Sequence, residues 1–264
     1  MCRWAAWIGA PIFLDQIVSE PSHSLLEQSH HAAKAKTAIN ADGFGVAWYN
    51  HHDFPGQYRD VYPAWSDSNL AALAQQVRSR LFMAHVRAST GAAISRNNCH
   101  PFVVGKWAFM HNGQVGGFEK FRKSADMAIA DEFYQHRRGA SDSEAIFLHA
   151  LGYGLERDPL PAMERAVLDL QTRSEQFGDG PHMRLSAAFT DGKRLYAVRY
   201  ASDCWAPSMF YRYVPDRDGF MVASEPLDAG HEDWTEVQPG SVLCFDGCNV
   251  VETHFLQETR ERVA

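Results

Sequence analysis

The alternation of apolar and polar positions predicts several buried strands in the first half of the chain. Apolar runs of strand length occupy Arg3–Gly9, Gly43–Tyr49, Leu81–Ala88 and Trp107–Gly113. The Asn112-Gly113 dipeptide is a strong signal for a tight turn, so we expect the last of these strands to end there.

Four other segments have the periodicity of helices. One begins at Asp67 or Ser68 and runs to about Arg80, and a looser one covers Phe118–Arg137. The third starts at SDSE, where Ser141 and Glu144 have the spacing of a capping box. The fourth covers Pro161–Gln176, and its proline suits a first helical turn.

After Gln176 the pattern becomes that of strands, from RLSAAFT at Arg184 to NVVETHF at Phe255. The order of strands, helices and then many strands predicts an α+β or layered architecture, in which two sheets carry helices outside. With 264 residues and no linker or repeat, we expect a single domain spanning residues 1–264.

Charge and cysteine content narrow the function classes. A net charge of -7 without a cluster of Lys and Arg argues against a nucleic-acid partner and favours a small molecule. No apolar run approaches the roughly 18 residues of a membrane span, and no signal peptide is recognisable. The five cysteines are odd in number and irregularly spaced, which favours a reducing cytoplasm over a disulfide framework. We interpret Cys244 and Cys248 as incidental thiols of a hairpin rather than zinc ligands.

Cys2 is the first candidate for chemistry. Removal of Met1 would give Cys2 a free α-amine, and an amine on the same carbon as the thiol can accept its proton. The alternative is a cysteine that follows Met by chance and packs in the first strand.

Arg87 is the second candidate, at the end of a strand within HVRAST. Its planar guanidinium suits a substrate carboxylate, which it can hold by two parallel hydrogen bonds. The alternative is an ordinary surface arginine.

The HNG segment is the third candidate. The side-chain amide of Asn112 and the backbone N–H of Gly113 can point the same way out of a tight turn, as an oxyanion hole requires. A plain hairpin turn would explain the same residues.

The fourth candidate is Asp142, in the first turn of the helix that Ser141 and Glu144 cap. The helix dipole alone would stabilise a carboxylate there. It could also bind a substrate ammonium group.

Together these pieces resemble the class II glutamine amidotransferases, a branch of the N-terminal-nucleophile hydrolases. The resemblance covers at least the first 150 residues and rests on six motifs in order: Met-Cys, NADGFGVAWY (Asn40–Tyr49), HVRAST (His85–Thr90), NCHPF (Asn98–Phe102), HNG (His111–Gly113) and SDSE (Ser141–Glu144). It implies a four-layer αββα sandwich of two mainly antiparallel sheets with outer helices. It also implies that neither a metal nor an organic cofactor is needed.

The resemblance further implies a role for each candidate. Cys2 would attack the side-chain amide of glutamine and form a γ-glutamyl thioester, with its own α-amine relaying the proton. Asn112 and Gly113 would bind the oxyanion, Arg87 the substrate α-carboxylate and Asp142 the α-ammonium. Thr90 and His100 match positions that line the glutamine pocket. In this chain Thr90 is followed by Gly91-Ala92, where many family members have His-Gly.

The second half, with ASEPLD (Ala223–Asp228) and VQPGSVL (Val237–Leu243), looks like the single-domain members of the family. Since no acceptor domain remains, either a separate subunit receives the ammonia or the enzyme cleaves a γ-glutamyl amide for its own sake. SHSLLEQS (Ser22–Ser29) resembles the γ-glutamyl hydrolases of the ergothioneine pathway, which do the latter. Trp4, Trp48 or Trp205 could then line the leaving-group side. A non-catalytic relative that binds a glutamyl ligand or a partner is the third alternative, and the residues alone assign no role to Glu225.

Overall fold

Two antiparallel β-sheets lie face to face at the centre of the protein, and helices cover their outer surfaces. The computed structural model describes residues 2–30, 40–88, 93–228, 230 and 233–256. Each sheet therefore has an inner face against the other sheet and an outer face against helices. This is the α+β, four-layer arrangement that the sequence motifs implied.

Within the described residues, the larger sheet has seven strands in the order β11-β9-β10-β1-β4-β2-β3. Their bounds are β1 Arg3–Phe13, β2 Phe44–Tyr49, β3 Gly56–Asp60, β4 Arg78–Val86, β9 Phe210–Val214, β10 Gly219–Ala223 and β11 Thr235–Glu236. Strand β1 lies near the middle of this sheet, between β10 and β4.

The smaller sheet has six strands in the part of the chain that the structure describes, in the order β13-β12-β8-β7-β6-β5. Their bounds are β5 Phe102–Val104, β6 Trp107–Val115, β7 Met183–Thr190, β8 Leu195–Ala201, β12 Ser241–Asp246 and β13 Asn249–His254. The hairpin expected around Asp246-Gly247 is confirmed, because Asp246 pairs with Asn249.

Seven α-helices lie in the described part of the chain: α1 Asp15–Val18, α2 Leu25–His30, α3 Ser68–Gln76, α4 Phe118–Met127, α5 Asp131–Tyr134, α6 Asp142–Gly152 and α7 Pro159–Phe177. The first three belong to the outer core of the larger sheet, and α4, α6 and α7 cover the smaller one. None of the helices in these described ranges is long and apolar enough to cross a membrane.

Strand alternation sorts the core into layers. On β1, Trp4 and Ile8 belong to the cluster between the sheets, whereas Trp7 belongs to the cluster under the helices. On β6, Met110 points inward and Phe109 outward in the same way. Side chains of even number on β6, and on β1 as far as Ile8, therefore face the space between the sheets; beyond Ile8 the register of β1 shifts.

The expected end of a strand at Asn112-Gly113 is wrong. Strand β6 continues to Val115, because each of its last residues pairs with β7: Asn112 with Ser186, Gly113 with Leu185 and Val115 with Met183. Long-range pairing with β7 overrides the local turn preference of the dipeptide. A Cβ on Gly113 would collide with the carbonyl group of Arg184, so close packing explains this glycine.

Two predicted helices are shorter than expected. The segment Phe118–Arg137 forms α4 and α5, because Ala130 takes an extended conformation with φ -57° and ψ 138°. Helix α3 ends at Gln76, since Val77 is extended and Arg78 already pairs with Phe13.

Helix α6 begins as the sequence predicts, but Glu144 has a different partner. The Glu144 N–H donates to Ser141 Oγ at 3.2 Å, which confirms the N-cap. The Glu144 carboxylate accepts hydrogen bonds from the N–H of Gly139 at 2.8 Å and from Arg137 Nη1 at 2.9 Å. The side chains of Glu144 and Arg137 are both buried, and together they fix the loop that leads into Asp142.

Glu144→Ala should therefore lower the free energy of unfolding by about 3 kcal/mol, because it removes a partner of the buried Arg137. The measurement is urea unfolding followed by circular dichroism. Glu132→Ala, at an exposed position of α5, is the matched control and should change the value by less than about 0.5 kcal/mol. Equal effects of the two substitutions would contradict this role of Glu144.

Candidate active site

Cys2 and Arg87 lie side by side at the ends of paired strands. Arg3 at the start of β1 pairs with Val86 at the end of β4, so the antiparallel register places Cys2 opposite Arg87. The Cys2 Sγ is 3.5 Å from the carbonyl oxygen of Ala88. The two predicted residues are thus brought together by sheet pairing between segments 85 residues apart in sequence.

The Cys2 thiol is set in an environment that keeps it protonated. Burial raises the pKa of the Cys2 thiol. The positive charges of Arg87 and Arg3 lower the pKa, but by less than burial raises it. A thiol with a raised pKa needs a nearby base to become a nucleophile near neutral pH.

Arg87 is a buried residue rather than an ordinary surface arginine, with only 5% of its surface exposed. Its Nη1 donates to the carbonyl oxygen of Asp42 at 3.3 Å, and its backbone N–H donates to Gly43 at 2.8 Å. Gly43 has φ +113°, and a Cβ there would lie 2.6 Å from Cys99 Sγ. The glycine in NADGFG thus lets the chain pass close enough to hold Arg87.

The second half of the site lies on the other sheet. Asn112 is buried on β6, and strand alternation turns its side chain toward the space between the sheets. Its partner Ser186 accepts a hydrogen bond from Trp4 Nε1 at 3.2 Å through its carbonyl oxygen. Trp4 lies two residues after Cys2, so it connects the strand that follows Cys2 to the strand pair of Asn112.

Asp142, the first residue of α6, is tied to the end of β6. Its Oδ2 accepts a hydrogen bond from the Val115 N–H at 2.7 Å, and its Oδ1 accepts one from the Ser143 N–H at 2.7 Å. His111 Nε2 lies 3.1 Å from the carbonyl oxygen of Arg184, so it must donate, and Nδ1 accepts from Ser143 Oγ at 2.9 Å. These contacts fix the start of α6 next to Asn112.

His100 packs against His85, a histidine that the motifs contained but to which the sequence assigned no role. The rings of His85 and His100 are 4.3 Å apart between their centroids, and both are buried. Burial lowers the pKa of His85 to about 3 and holds that of His100 well below its usual value. Both rings are therefore neutral near pH 7. His85 follows the inward alternation of β4, and this pattern could have singled it out.

Of the predicted site residues, Cys2 and Arg87 are adjacent, Asn112, Gly113 and Asp142 form a second group, and Thr90 lies outside the described residues.

Two surface cavities, of about 490 and 350 Å³, are lined by other residues. Within the described ranges, no group of three His, Cys, Asp or Glu side chains is arranged to hold a metal ion.

The three tryptophans considered for the leaving-group side differ in exposure. Trp4 is fully buried between the sheets, and Trp48 packs against the outer core of the larger sheet. Trp205 is 43% exposed, and the Arg184 guanidinium lies over its ring. The distance from Arg184 Cζ to the centre of the Trp205 ring is 4.6 Å. Arg184 pairs with Gln114 on β7 and β6, beyond Asn112. Trp205 is thus the accessible one of the three.

Comparison with protein families gives a match to the model for class II glutamine amidotransferases over residues 20–211. The chain belongs to the class II glutamine amidotransferases. The matched range contains Arg87, Asn112 and Asp142, whereas Cys2 lies before it. The family indicated by the motifs is thereby confirmed.

Two relatives of this class II glutamine amidotransferase carry names that state an activity. A probable glutamine amidotransferase of Saccharomyces cerevisiae, DUG3, is 32% identical and is aligned over 92% of this chain and 81% of its own. A γ-glutamyl-hercynylcysteine sulfoxide hydrolase of Mycolicibacterium smegmatis is 29% identical over 96% of this chain and 99% of its own. Both are named as enzymes, which confirms that this amidotransferase belongs to an enzyme family of the amidohydrolase type.

Solved structures show the same fold. A glutamine aminotransferase class-II domain protein from Silicibacter pomeroyi has a TM-score of 0.78 and 49% identity, covering 96% of this chain and 99% of its own. A glutamine phosphoribosylpyrophosphate amidotransferase from Bacillus subtilis has a TM-score of 0.65 and 13% identity, covering 97% of this chain and 49% of its own. The second likeness concerns the fold alone, and it supports the four-layer sandwich.

Because His85 is buried and neutral, the free energy of unfolding of the amidotransferase should fall in acid. His85 has a pKa of about 3 when folded and near 6.5 when unfolded, so unfolding takes up a proton at pH values between the two. Its contribution is present above pH 6.5 and is lost as the pH falls toward 3. His85→Phe should therefore reduce the loss of unfolding free energy between pH 7 and pH 4.5 by about 2 to 3 kcal/mol. Urea unfolding at both pH values measures this loss, and an equal loss in both proteins would argue against a buried neutral His85.

Proposed function

We propose that the protein hydrolyses the γ-amide bond of glutamine or of another γ-glutamyl compound through a thioester on Cys2. The observation that carries the proposal is the pairing of a thiol with a buried guanidinium, since the strand register places Cys2 opposite Arg87. A glutamyl group has a carboxylate for Arg87 to bind and an amide carbon for the thiol to attack. We also propose that residues 1–264 form one such catalytic domain.

The reaction begins with transfer of the thiol proton to the free α-amine of Cys2, after Met1 has been removed. The sulfur then attacks the amide carbon, and the Asn112 amide with the Gly113 N–H stabilises the oxyanion. Collapse of the tetrahedral intermediate breaks the C–N bond, and the ammonium of Cys2 returns the proton to the departing ammonia or amine. Water, deprotonated by the same amine, then attacks the thioester and releases glutamate and the thiol.

The binding of the glutamyl group follows from burial and charge. Arg87 is held by Asp42 and Gly43, so its position is set before a substrate carboxylate arrives. The carboxylate of Asp142 is half-buried and can accept hydrogen bonds from the substrate ammonium. We assign His100, next to His85, and Thr90 to the lining of the same pocket.

The leaving group distinguishes two forms of this activity. Hydrolysis of a large γ-glutamyl amide is supported by the exposed Trp205 and by the M. smegmatis relative's name. Release of ammonia for a separate subunit is supported by the family and by the name of DUG3. We place the protein in the cytoplasm, since the cysteines of the described residues are all free thiols.

Cys2→Ala should reduce turnover of every γ-glutamyl substrate by at least about a thousandfold, because the attacking sulfur is gone. The assay measures glutamate release from L-glutamine, from a γ-glutamyl dipeptide and from a γ-glutamyl amide of an aromatic amine. Cys204→Ala, which removes an exposed thiol, is the control and should leave the rates unchanged.

The same panel separates the alternatives. A kcat/KM at least tenfold higher for the larger amides favours hydrolysis for its own sake, whereas a preference for glutamine favours ammonia supply. Mass spectrometry of the active protein must show that Met1 is absent. Normal turnover by Cys2→Ala, or by protein that retains Met1, would reject the mechanism and favour a non-catalytic role for Cys2.

Substitutions at Arg87 and Asn112 should affect different kinetic constants. Arg87→Lys replaces a planar fork by a point charge, so we expect KM to rise at least about tenfold with a smaller change in kcat. Asn112→Ala removes an oxyanion donor and should lower kcat by about 100-fold or more. Steady-state kinetics on the best substrate of the panel measures both. An unchanged kcat/KM for Arg87→Lys, or an intact kcat with a raised KM for Asn112→Ala, would contradict the respective role.

A further inference from the structure

A buried ion pair contacts the main chain of Cys2 from the side opposite to its thiol. Arg3 is 2% exposed, and its Nη1 donates to the carbonyl oxygen of Cys2 at 3.0 Å. Its Nη2 lies 2.6 Å from Oε1 of Glu225, which is also buried. One guanidinium therefore joins a carboxylate from the second half of the chain to the backbone of Cys2.

The strand register explains why these two residues meet. Ala5 on β1 pairs with Ala223 on β10, and the ladder continues by hydrogen bonds between the next residues. The Trp4 N–H donates to Ser224 Oγ at 3.0 Å, and the Ser224 N–H donates to the Trp4 carbonyl oxygen at 2.9 Å. The following step of this antiparallel ladder places Glu225 opposite Arg3.

Arg3 and Glu225 both lie on the outer face of the sheet. Ala5 and Ala223 belong to the core under the helices, and Arg3 and Glu225 have the same parity on their strands. Cys2 has the parity of Trp4, which belongs to the cluster between the sheets. The ion pair therefore contacts the backbone of Cys2 on the outer face of the sheet. A substrate that the thiol attacks would lie on the inner face and would not reach the pair.

A buried ion pair at this position has a large desolvation free energy, which apolar core residues would not have. Moving two charges out of water is energetically costly, and apolar residues of similar volume often stabilise a protein as well or better. The neighbours of Arg3 along this face, Ala5 and Trp7, are apolar. What an apolar residue could not do is donate a hydrogen bond to the Cys2 carbonyl group.

That hydrogen bond addresses a problem of any nucleophile at a chain end. Terminal residues are poorly ordered unless something ties them down, and the α-amine and thiol of Cys2 must both point at one substrate atom. Fixing the carbonyl group restricts rotation about the Cα–C bond, which sets the direction of the amine and the side chain. Glu225 in turn fixes the Arg3 guanidinium, and His23 Nε2, 3.8 Å from Glu225 Oε2, lies on its other side.

We propose that Arg3 and Glu225 are positioning residues that orient the α-amine and thiol of Cys2. The inference rests on the proposed function, and it assigns to Glu225 a role in the orientation step of that reaction. Since neither residue reaches the substrate, their loss should lower kcat and leave substrate binding nearly unchanged.

The test compares Glu225→Gln, Arg3→Met and the double variant with the wild-type enzyme. Misplacement of reacting groups by about 1 Å costs on the order of 100-fold in rate, so we expect kcat to fall roughly 10- to 100-fold in each single variant with KM within about threefold. Because Glu225 acts through Arg3, the double variant should be no more than about threefold slower than Arg3→Met.

Glu236→Gln is the control, since the same change at a half-exposed glutamate removes an ion pair with the buried Arg199, 2.7 Å away, without contact to Cys2. It should leave kcat unchanged. Where Arg3→Met fails to fold, Glu225→Asp keeps the charge but shortens the side chain, and its kcat should lie between those of wild type and Glu225→Gln. Unchanged kcat in the folded Glu225 variants, or a loss confined to KM, would overturn the proposal.

Alkylation by iodoacetamide separates this proposal from the proposed function. Mass spectrometry follows the rate at Cys2 of Met1-processed protein, with the exposed Cys204 as an internal reference. A correctly oriented amine accepts the thiol proton, so Glu225→Gln should slow alkylation of Cys2 by about tenfold relative to Cys204. A wild-type protein inactive on every γ-glutamyl amide would reject the proposed function, whereas an equal alkylation ratio in both proteins would reject the positioning role.

Discussion

The pairing of β1 with β4 is the constraint on which the candidate site depends. Its register sets Arg3 against Val86, and this alone places Cys2 beside Arg87. A slip of one residue would turn Cys2 toward the helices and bring Arg3 to the space between the sheets. Trp4 resists such a slip, because it fills the inner core and its indole donates to Ser186 on the other sheet. The same tryptophan therefore fixes the register and the distance between the two halves of the site.

Much of this arrangement could be predicted from the sequence, because the strands carry strong apolar patterns and the motifs stand at their ends. The strand of Trp107 extends further than expected, since pairing with Met183–Thr190 outweighs the turn preference of Asn112-Gly113. The donors of that dipeptide are consequently held by a sheet rather than by a turn. Local preferences could not reveal this, because the deciding partner is about 70 residues away in sequence.

Glu225 shows a stricter limit of sequence reasoning. Its partner Arg3 lies more than 200 residues earlier, and neither residue stands in a pattern that implies the other. Only the position of β10 next to β1 in the sheet brings them together. His85 is a different case: it lies within a quoted motif, and its inward alternation on β4 could have marked it as a buried neighbour of His100.

The Asp142 carboxylate has a structural task as well as its proposed role in binding the substrate ammonium. Its carboxylate accepts hydrogen bonds from Val115 and Ser143, so it joins the start of α6 to the end of β6. A substrate ammonium would approach a carboxylate whose orientation these bonds have already set, at low entropic cost. Removing the carboxylate would therefore also remove a hydrogen bond that holds the end of β6, the strand of Asn112, against α6. Asp142 is thus coupled to Asn112, the proposed oxyanion donor, through the backbone of β6.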